Sequence, residues 1–311
     1  MSGTDRAIEI VEVAPRDGFQ AVGPFIATAR KVAHIEALLD AGIRRMEIGS
    51  FVSPKAIPQL ADTRDVVAAV GARAGCRLSV LVPNEKGARL AADRGVREIV
   101  WVLSASESHN RENVRRTVAE SIEDFRRAVD ALSDLPLAWR FNVATSYDCP
   151  FEGRTPADAV YAILDQVARR LPAVEIGLCD STGRAFPDQV GALCAGAMAR
   201  FGGPGVGWAF HGHDTYGLGV ANALAAWQAG VRVFDSSAAG LGGCPFAPGA
   251  TGNTATEDLV FAFGNMGVAT GIDLARLLPA CDDVATIPGA AIGGHVRTIP
   301  RARVLADRVA R

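Results

Sequence analysis

Two histidines placed two residues apart, His211 and His213 in the segment FHGHDTYGLGVAN, are the strongest chemical signal in the sequence. Residues 206–211 read as a short buried strand, and side chains at positions i and i+2 of a strand face the same side. Both imidazoles should therefore point into one cavity, where neutral histidine nitrogens are good ligands for a divalent metal ion. Two core histidines bonded to backbone groups are the alternative, which the polar character of the segment disfavours.

The elements that must position these histidines alternate along the chain. Short runs rich in valine and isoleucine precede longer stretches of helical periodicity, which is typical of βαβ units around a parallel sheet. The predicted strands are residues 8–14, 43–48, 77–82, 96–103, 137–143, 174–179, 206–211 and 231–235. Eight such units in 311 residues predict a (β/α)8 TIM barrel with extra C-terminal helices, and a doubly wound open sheet is the main alternative.

We expect a single domain over residues 1–311, with the barrel at about 8–250 and a helical extension over 251–311. Polar segments follow five of the predicted strands: APRDGFQ, EIGSFVSPK, CDSTG, HGHD and DSSAAGLGGCP. A barrel would gather all five at one mouth, because barrel active sites lie at the C-terminal ends of the strands. An open sheet would instead gather them at one switch point between neighbouring strands.

Composition limits the classes of function. Hydrophobic residues make up 49% of the chain and the net charge is −2, which suits a packed α/β protein and argues against a nucleic-acid binder. The 6 cysteines form no CxxC pair, so neither a zinc ribbon nor a disulfide framework is indicated. The N-terminal segment lacks a signal-peptide core, and no apolar run reaches membrane-spanning length. We therefore expect a cytoplasmic protein that binds neither nucleic acid nor membrane.

Asp17 follows the first predicted strand, which lies two places from the seventh in a ring of eight. Asp17, His211 and His213 would then form a set of two histidines and one carboxylate, with coordination positions left open for substrate oxygens. Asn253, in the segment GATGN, could add a carbonyl oxygen or could be an ordinary left-handed turn residue.

Four further residues could act on a reacting substrate. Arg16 could stabilise the negative charge of an enolate oxygen, or could only form a salt bridge across the barrel mouth. Glu47 could orient Arg16 or accept a hydrogen bond from a ligand histidine. Asp180 could hold a substrate hydroxyl or relay its proton, or could merely cap the next helix. Cys244, in a glycine-rich loop, could be an acid or a base, or inert packing.

Five segments closely resemble the 3-hydroxy-3-methylglutaryl-CoA lyase family of the DRE-TIM metallolyases: VEVAPRDGFQ, SFVSPKAIPQ, CPFEG, FHGHDTYGLGVANALAAWQAGV and DSSAAGLGGCPFAPGATGNTATEDLV. The resemblance runs from about residue 8 to 285. It implies a (β/α)8 barrel, a divalent metal cation (Mg2+ or Mn2+), an acyl-CoA substrate and a homodimer. The implied reaction is cleavage of 3-hydroxy-3-methylglutaryl-CoA to acetyl-CoA and acetoacetate, as in leucine degradation.

The resemblance also implies roles for individual residues. The metal ligands that it implies are Asp17, His211, His213 and Asn253. Arg16 matches the enolate-stabilising arginine and Cys244 the catalytic cysteine, while Glu47 and Asp180 match supporting carboxylates. The residues that it implies at the substrate or the CoA arm are Gln20, Ser50 and Asn84.

Two departures from the family pattern leave the substrate open. The family commonly carries a small residue and a glycine before the CP of the fifth strand end, where this chain has Tyr147 and Asp148. These side chains could narrow the pocket mouth or change its polarity. A related 3-hydroxy-3-methyl acyl-CoA, such as citramalyl-CoA or an isoprenoid-extended glutaryl-CoA, is therefore an alternative substrate. The C-terminal segment GGHVRTIPRAR also departs from the family ending.

Two other classes are less favoured. Claisen synthases of the isopropylmalate synthase type usually read HxHND where this chain has HGHDTYG. A catalytically silent barrel that acts as a scaffold would be expected to lack at least one site residue, and this sequence retains all of them.

Overall fold

Eight parallel strands form a closed barrel within the residues that the computed structural model describes, which are 7–168, 171, 173–243 and 252–306. Each strand pairs with the next one along the chain, and the last pairs with the first. The strands are β1 Glu9–Glu12, β2 Arg45–Ser50, β3 Arg77–Val82, β4 Glu98–Ser104, β5 Ala138–Ala144, β6 Val174–Asp180, β7 Val206–Gly212 and β8 Val233–Ser236. The predicted (β/α)8 fold is confirmed, and the open-sheet alternative is wrong.

Helices follow the strands and cover the outside of the barrel. They are α1 Thr28–Asp40, α2 Thr63–Val70, α3 Glu85–Asp93, α4 Glu107–Val114, α5 Val118–Ala131, α6 Ala157–Val167, α7 Pro187–Phe201, α8 Gly219–Ala229, α9 Thr256–Asn265, α10 Leu274–Ala285 and α11 Arg301–Val304. The first helix packs on the strands through an apolar stripe, since Ile35, Leu38 and Leu39 of α1 are buried. In the described part of the chain, no helix is long and apolar enough to cross a membrane.

Successive side chains of β5 point alternately toward the outer helices and into the barrel interior. Trp139 and Phe141 pack against Phe125 of α5, at ring-centroid distances of 5.7 and 4.6 Å. The alternate residue Arg140 points the other way and bonds Asp235 of β8 across the barrel interior. This alternation follows from the two-residue period of a strand. The apolar core therefore lies between strands and helices, while the barrel interior holds polar side chains.

Charged residues fill the N-terminal end of the barrel interior. The buried Arg45 guanidinium of β2 bonds both carboxylate oxygens of Glu175 on β6, each at 2.8 Å, and its Nε donates to Glu98 of β4 at 2.9 Å. Side chains from alternate strands share a layer in barrels of this class. Here that layer is an ion-pair network, which sits below the mouth at which the strands end.

The turn after β1 differs from the sequence prediction. The first strand was predicted to extend to residue 14, but it ends at Glu12 because Ala14–Gly18 forms a π-helical turn. The backbone N–H groups of Arg16, Asp17 and Gly18 all donate to the carbonyl oxygen of Val13. This tight turn carries Arg16 and Asp17 over the barrel mouth.

The C-terminal segment packs onto the last two long helices. The predicted C-terminal helical extension includes α9 and α10. Asp258 of α9 accepts hydrogen bonds from the backbone N–H groups of His295 and Val296 and from His295 Nδ1. Arg297 and Arg301 form salt bridges with Asp282 of α10. The segment GGHVRTIPRAR is thus tied to the helical layer.

Gly177 of β6 provides a test of packing inside the barrel. A Cβ atom at this position would lie 2.1 Å from Asn142 Oδ1 and 3.4 Å from an Arg140 nitrogen. Because overpacking a filled interior typically costs about 1–3 kcal/mol, we expect Gly177→Ala to lower the free energy of unfolding by that amount in denaturant titrations.

Gly203→Ala is the matched control, since a Cβ there meets nothing within 4 Å. Removal of the opposing side chain should relieve the clash, so the double variant Asn142→Ala/Gly177→Ala should lose less stability than the sum of the two single variants. Equal stability of Gly177→Ala and the unmodified protein would contradict this packing.

Candidate metal centre and active site

Three predicted ligand residues come together at the barrel mouth. Asp17, His211 and His213 each offer a ligand atom, and these atoms all lie within 4.8 Å of one another. The two histidine rings are 5.2 Å apart between centroids. His211 belongs to β7 and His213 follows it, whereas Asp17 comes from the turn after β1. The strand order places β8 alone between these two strands, as the sequence analysis predicted.

Asn253 completes this cluster. It forms an isolated bridge with His213, and its side-chain Nδ2 donates to Asp17 Oδ2 at 2.9 Å and to the Leu241 carbonyl oxygen at 3.0 Å. The left-handed turn alternative for Asn253 is wrong, because the positive φ of 84° belongs to Gly252. The side-chain oxygen of Asn253 is buried and has no hydrogen-bond partner among the described residues.

These atoms fit a divalent cation. A buried polar atom without a partner costs free energy, and both Asn253 Oδ1 and His213 Nδ1 are in that condition within the described part of the chain. Two imidazole nitrogens, one carboxylate and one amide oxygen form a mixed nitrogen and oxygen donor set that suits a hard or borderline divalent ion. The cluster therefore has the chemistry of a metal centre.

The charge states of Asp17 and His213 suit metal binding. Burial alone would raise the pKa of Asp17, but Arg16, the two histidines and the Asn253 hydrogen bond hold it below its usual value. Burial lowers the pKa of His213 to about 4. An anionic carboxylate and a neutral imidazole are the forms that bind metal ions.

Asp235 of β8 is a site residue that the sequence analysis missed. Its Oδ2 lies 3.2 Å from His211 Nδ1 and accepts a hydrogen bond from Arg140 at 2.8 Å. Burial would lower the pKa of His211, but the bond to Asp235 raises it overall. The sequence did offer a signal for it: Asp235 ends the eighth predicted strand and begins the polar segment DSSAAGLGGCP.

Arg16 lies between two carboxylates. Its Nε donates to Glu47 of β2, and its Nη1 donates to Asp17. Burial would lower the pKa of Arg16, but these carboxylates raise it overall, so the guanidinium stays charged. Glu47 is thus placed to orient Arg16, which is the first of its two predicted roles. At His211 the place of the carboxylate partner is taken by Asp235 and not by Glu47.

Asp180 ends β6 beside the histidine pair, since it is the register partner of Gly212 on β7. Its Oδ2 accepts from the backbone N–H of Ala185, in the turn that precedes α7. Its Oδ1 is buried and has no partner among the residues described. Burial raises the pKa of Asp180 to about 6. The carboxyl group therefore stabilises the turn that precedes α7.

The residues predicted to contact substrate lie near the ends of the first three strands. Gln20 is half-buried just after the π-helical turn. Ser50 ends β2, is buried, and its Oγ accepts from the Val52 backbone N–H. Asn84 caps α3 by accepting from the Gly87 N–H at 3.0 Å. Their contacts with substrate stay predictions, and Cys244 lies outside the described residues.

The expectation that Tyr147 narrows the pocket mouth is wrong. Tyr147 is fully buried, its hydroxyl lies 3.6 Å from Cys194 Sγ of α7, and its ring packs edge-on against Phe210. Asp148 accepts a hydrogen bond from Thr182 Oγ1 at 3.2 Å, which links the loops after β5 and β6. The tyrosine thus belongs to the layer between barrel and helices.

The fold and the clustered side chains define a (β/α)8-barrel enzyme whose active site lies at the C-terminal mouth. The HMGL-like family model matches residues 7–284, so the chain belongs to the HMGL-like family. The predicted family is thereby confirmed, and with it a carbon–carbon lyase.

Individual relatives show the same relationship over nearly the whole chain. The (R)-citramalyl-CoA lyase of Chloroflexus aurantiacus is 43% identical over 286 residues, which are 89% of either chain. The hydroxymethylglutaryl-CoA lyase of Pseudomonas mevalonii is 38% identical, and the match covers 98% of this chain and 99% of that one. An HMG-CoA lyase from Acinetobacter baumannii, solved in complex with coenzyme A and 3-methylmalate, superposes with a TM-score of 0.88 at 36% identity, covering 95% of this chain and 96% of that one.

Loss of one imidazole should disable the candidate metal centre. We expect His213→Ala to weaken Mn2+ binding at least tenfold, because it removes one donor from a set of four, as measured by electron paramagnetic resonance of free Mn2+. His295→Ala is the control, since this histidine side chain is 80% exposed and bonds Asp258 instead. Unchanged Mn2+ affinity in His213→Ala would place the metal elsewhere.

Proposed function

We propose that this protein is a divalent-metal-dependent hydroxymethylglutaryl-CoA lyase, which cleaves 3-hydroxy-3-methylglutaryl-CoA to acetyl-CoA and acetoacetate. The observation that carries the proposal is the cluster of Asp17, His211 and His213, with the Arg16 guanidinium bonded to Asp17. Curated relatives named for this activity are 38% identical over 98% and 88% of the chain, in Pseudomonas mevalonii and Bacillus subtilis.

The proposed metal is Mg2+ or Mn2+, held by Asp17, His211, His213 and Asn253. When bound there, the ion would supply Lewis-acid chemistry that lowers the pKa of the substrate's tertiary hydroxyl. The side chains determine where it is held: Asp17 and Asn253 are hydrogen-bonded to each other, and His211 is fixed by Asp235.

Arg16 stabilises the charge that develops as the carbon–carbon bond breaks. The electron pair of the C2–C3 bond stays with the acetyl fragment, so negative charge moves onto the thioester oxygen. A guanidinium oriented in advance can meet that charge without reorganisation, which is the usual source of such stabilisation. The hydrogen bond from Arg16 to Glu47 supplies this orientation.

Two proton transfers complete the reaction. The C3 hydroxyl loses its proton as acetoacetate forms. Asp180 is the proposed acceptor or relay, because it ends β6 beside the histidine pair and burial raises its pKa to about 6, which makes it a stronger base than an exposed aspartate. A proton must then reach C2 of the thioester enolate to give acetyl-CoA. Cys244 is the proposed donor, on the strength of the family resemblance.

The partner and setting that we propose follow from the relatives. The structure of the Acinetobacter baumannii relative contains coenzyme A, which supports an acyl-CoA substrate here. We propose Gln20, Ser50 and Asn84 as residues that contact the substrate or its CoA arm. A homodimer in the cytoplasm that acts in leucine degradation is proposed on the same family grounds.

A second candidate substrate is citramalyl-CoA. It is favoured by the 43% identity to the (R)-citramalyl-CoA lyase of Chloroflexus aurantiacus. The same bond cleavage in citramalyl-CoA would release pyruvate instead of acetoacetate, with acetyl-CoA as the common product. The metal cluster and Arg16 would act in the same way on either thioester.

A substrate panel tests the proposed function directly. We expect purified protein with Mg2+ to release acetyl-CoA and acetoacetate from 3-hydroxy-3-methylglutaryl-CoA, and to lose that activity in EDTA until Mg2+ is restored. Citramalyl-CoA should be cleaved with a lower kcat/KM. A higher kcat/KM for citramalyl-CoA, followed as pyruvate release, would assign the protein to the second candidate, and failure with both thioesters would refute the lyase assignment.

Replacement of Arg16 should separate catalysis from metal binding. We expect Arg16→Gln to lower kcat on the order of a hundredfold or more, because a donor aimed at the developing negative charge is lost. Its Mn2+ affinity should fall by less than kcat does, because Arg16 bonds the proposed ligand Asp17 but supplies no ligand atom itself. Arg89→Gln, at an exposed arginine of α3, is the control that should keep full activity. Normal turnover in Arg16→Gln would remove Arg16 from the mechanism.

A further inference from the structure

Asp235 is not a proposed metal ligand, but its side chain contacts one. It is buried on β8, next to β7, and is the register partner of His211. Its Oδ2 lies 3.2 Å from His211 Nδ1, which leaves Nε2 as the ring nitrogen free to face the cluster. A histidine whose Nδ1–H is bonded to a carboxylate is fixed in the tautomer that presents Nε2 to a metal.

Asp235 is itself held from the opposite side of the barrel. Arg140 of β5 donates from Nη2 to the same Oδ2 atom at 2.8 Å, and it is 2% exposed. The Nε of Arg140 donates to Asn142 Oδ1 at 2.9 Å, so the guanidinium is fixed at two points. A buried carboxylate paired with a fixed guanidinium has little freedom to swing away from His211.

The two histidines of the cluster differ in this respect. His213 Nδ1 is buried and has no hydrogen-bond partner in the described residues, whereas His211 Nδ1 has the charged partner Asp235. The connection from Arg140 through Asp235 therefore ends at one histidine only. This asymmetry allows the effect of Asp235 to be tested against an internal reference.

We propose that Asp235 is a positioning residue that orients His211 for metal binding, and that Arg140 fixes Asp235 in turn. The inference rests on the metal centre of the proposed function, but not on the identity of the acyl substrate. Loss of a carboxylate that orients a ligand histidine typically weakens metal affinity about 10- to 100-fold.

The first experiment measures Mn2+ affinity of the full-length variants by electron paramagnetic resonance. Asp235→Asn keeps the shape and an oxygen acceptor but removes the charge, and Asp235→Ala removes both. We expect an intermediate loss for the first and about a 10- to 100-fold loss for the second. Circular dichroism at the assay temperature establishes that each variant is folded.

Glu98→Gln is the matched control. Glu98 is also a buried carboxylate inside the barrel that bonds an arginine, in this case Arg45 at 2.9 Å, but it belongs to the network at the N-terminal end. We expect its Mn2+ affinity to equal that of the unmodified protein. An equal loss in Glu98→Gln and Asp235→Ala would mean a general effect of removing interior charge, which would overturn the proposal.

A pair of double variants separates positioning from a purely structural role. Alanine at position 211 leaves Asp235 no N–H group to accept from, whereas alanine at position 213 leaves the contact between His211 and Asp235 in place. We therefore expect Asp235→Ala to add little further loss to His211→Ala, but to add its full loss to His213→Ala. Equal additional losses in both backgrounds would overturn the proposal.

The outcomes also separate this inference from the proposed function. Unmodified protein that binds no Mn2+ would overturn the metal centre and this inference together. Normal Mn2+ binding with no loss in Asp235→Ala would overturn the positioning role alone, while the lyase proposal would still stand on the substrate panel.

Discussion

The pairing of β1 with β8, which closes the barrel, is the constraint on which the site depends. It joins strands that lie more than 200 residues apart, in register from Glu9 with Val233 to Glu12 with Ser236. The buried Glu12 side chain extends this closure, because its Oε1 accepts from the backbone N–H groups of both Ala14 and Ala238. The turn that carries Arg16 and Asp17 is thereby tied to the segment that follows the last strand.

Charge inside the barrel is arranged in two layers with different consequences. The lower layer, around Arg45, is fully paired and lies at the N-terminal ends of the strands. Buried ion pairs of this kind contribute little net stability, since desolvation offsets most of the attraction, but the loss of one partner is costly. The upper layer, Arg140 with Asp235, continues to His211. The same type of interaction thus supports the barrel below and orients a candidate metal ligand above.

The sequence predicted those parts of the site that are encoded locally. The histidine pair followed from the two-residue period of a strand, and the eight strands followed from alternating patterns. Asp235 could not be placed in this way, because its contact with His211 arises only when neighbouring strands align in register. Tyr147 was misplaced for a different reason: Thr145 has a positive φ of 53° just after β5, which breaks the alternation and turns Tyr147 toward α7.

The two candidate substrates differ by one methylene group, which lies away from the groups that the cluster would bind. Both carry the thioester, the tertiary hydroxyl and a carboxylate, so Arg16 and the proposed metal would meet the same groups in either case. One methylene in a pocket is worth about 1–3 kcal/mol, or about 10- to 200-fold in kcat/KM. A barrel with this cluster can therefore change its substrate while its chemistry stays the same. Selectivity must come from the side chains that contact the terminal carboxylate, because only there do the two acyl groups differ in length.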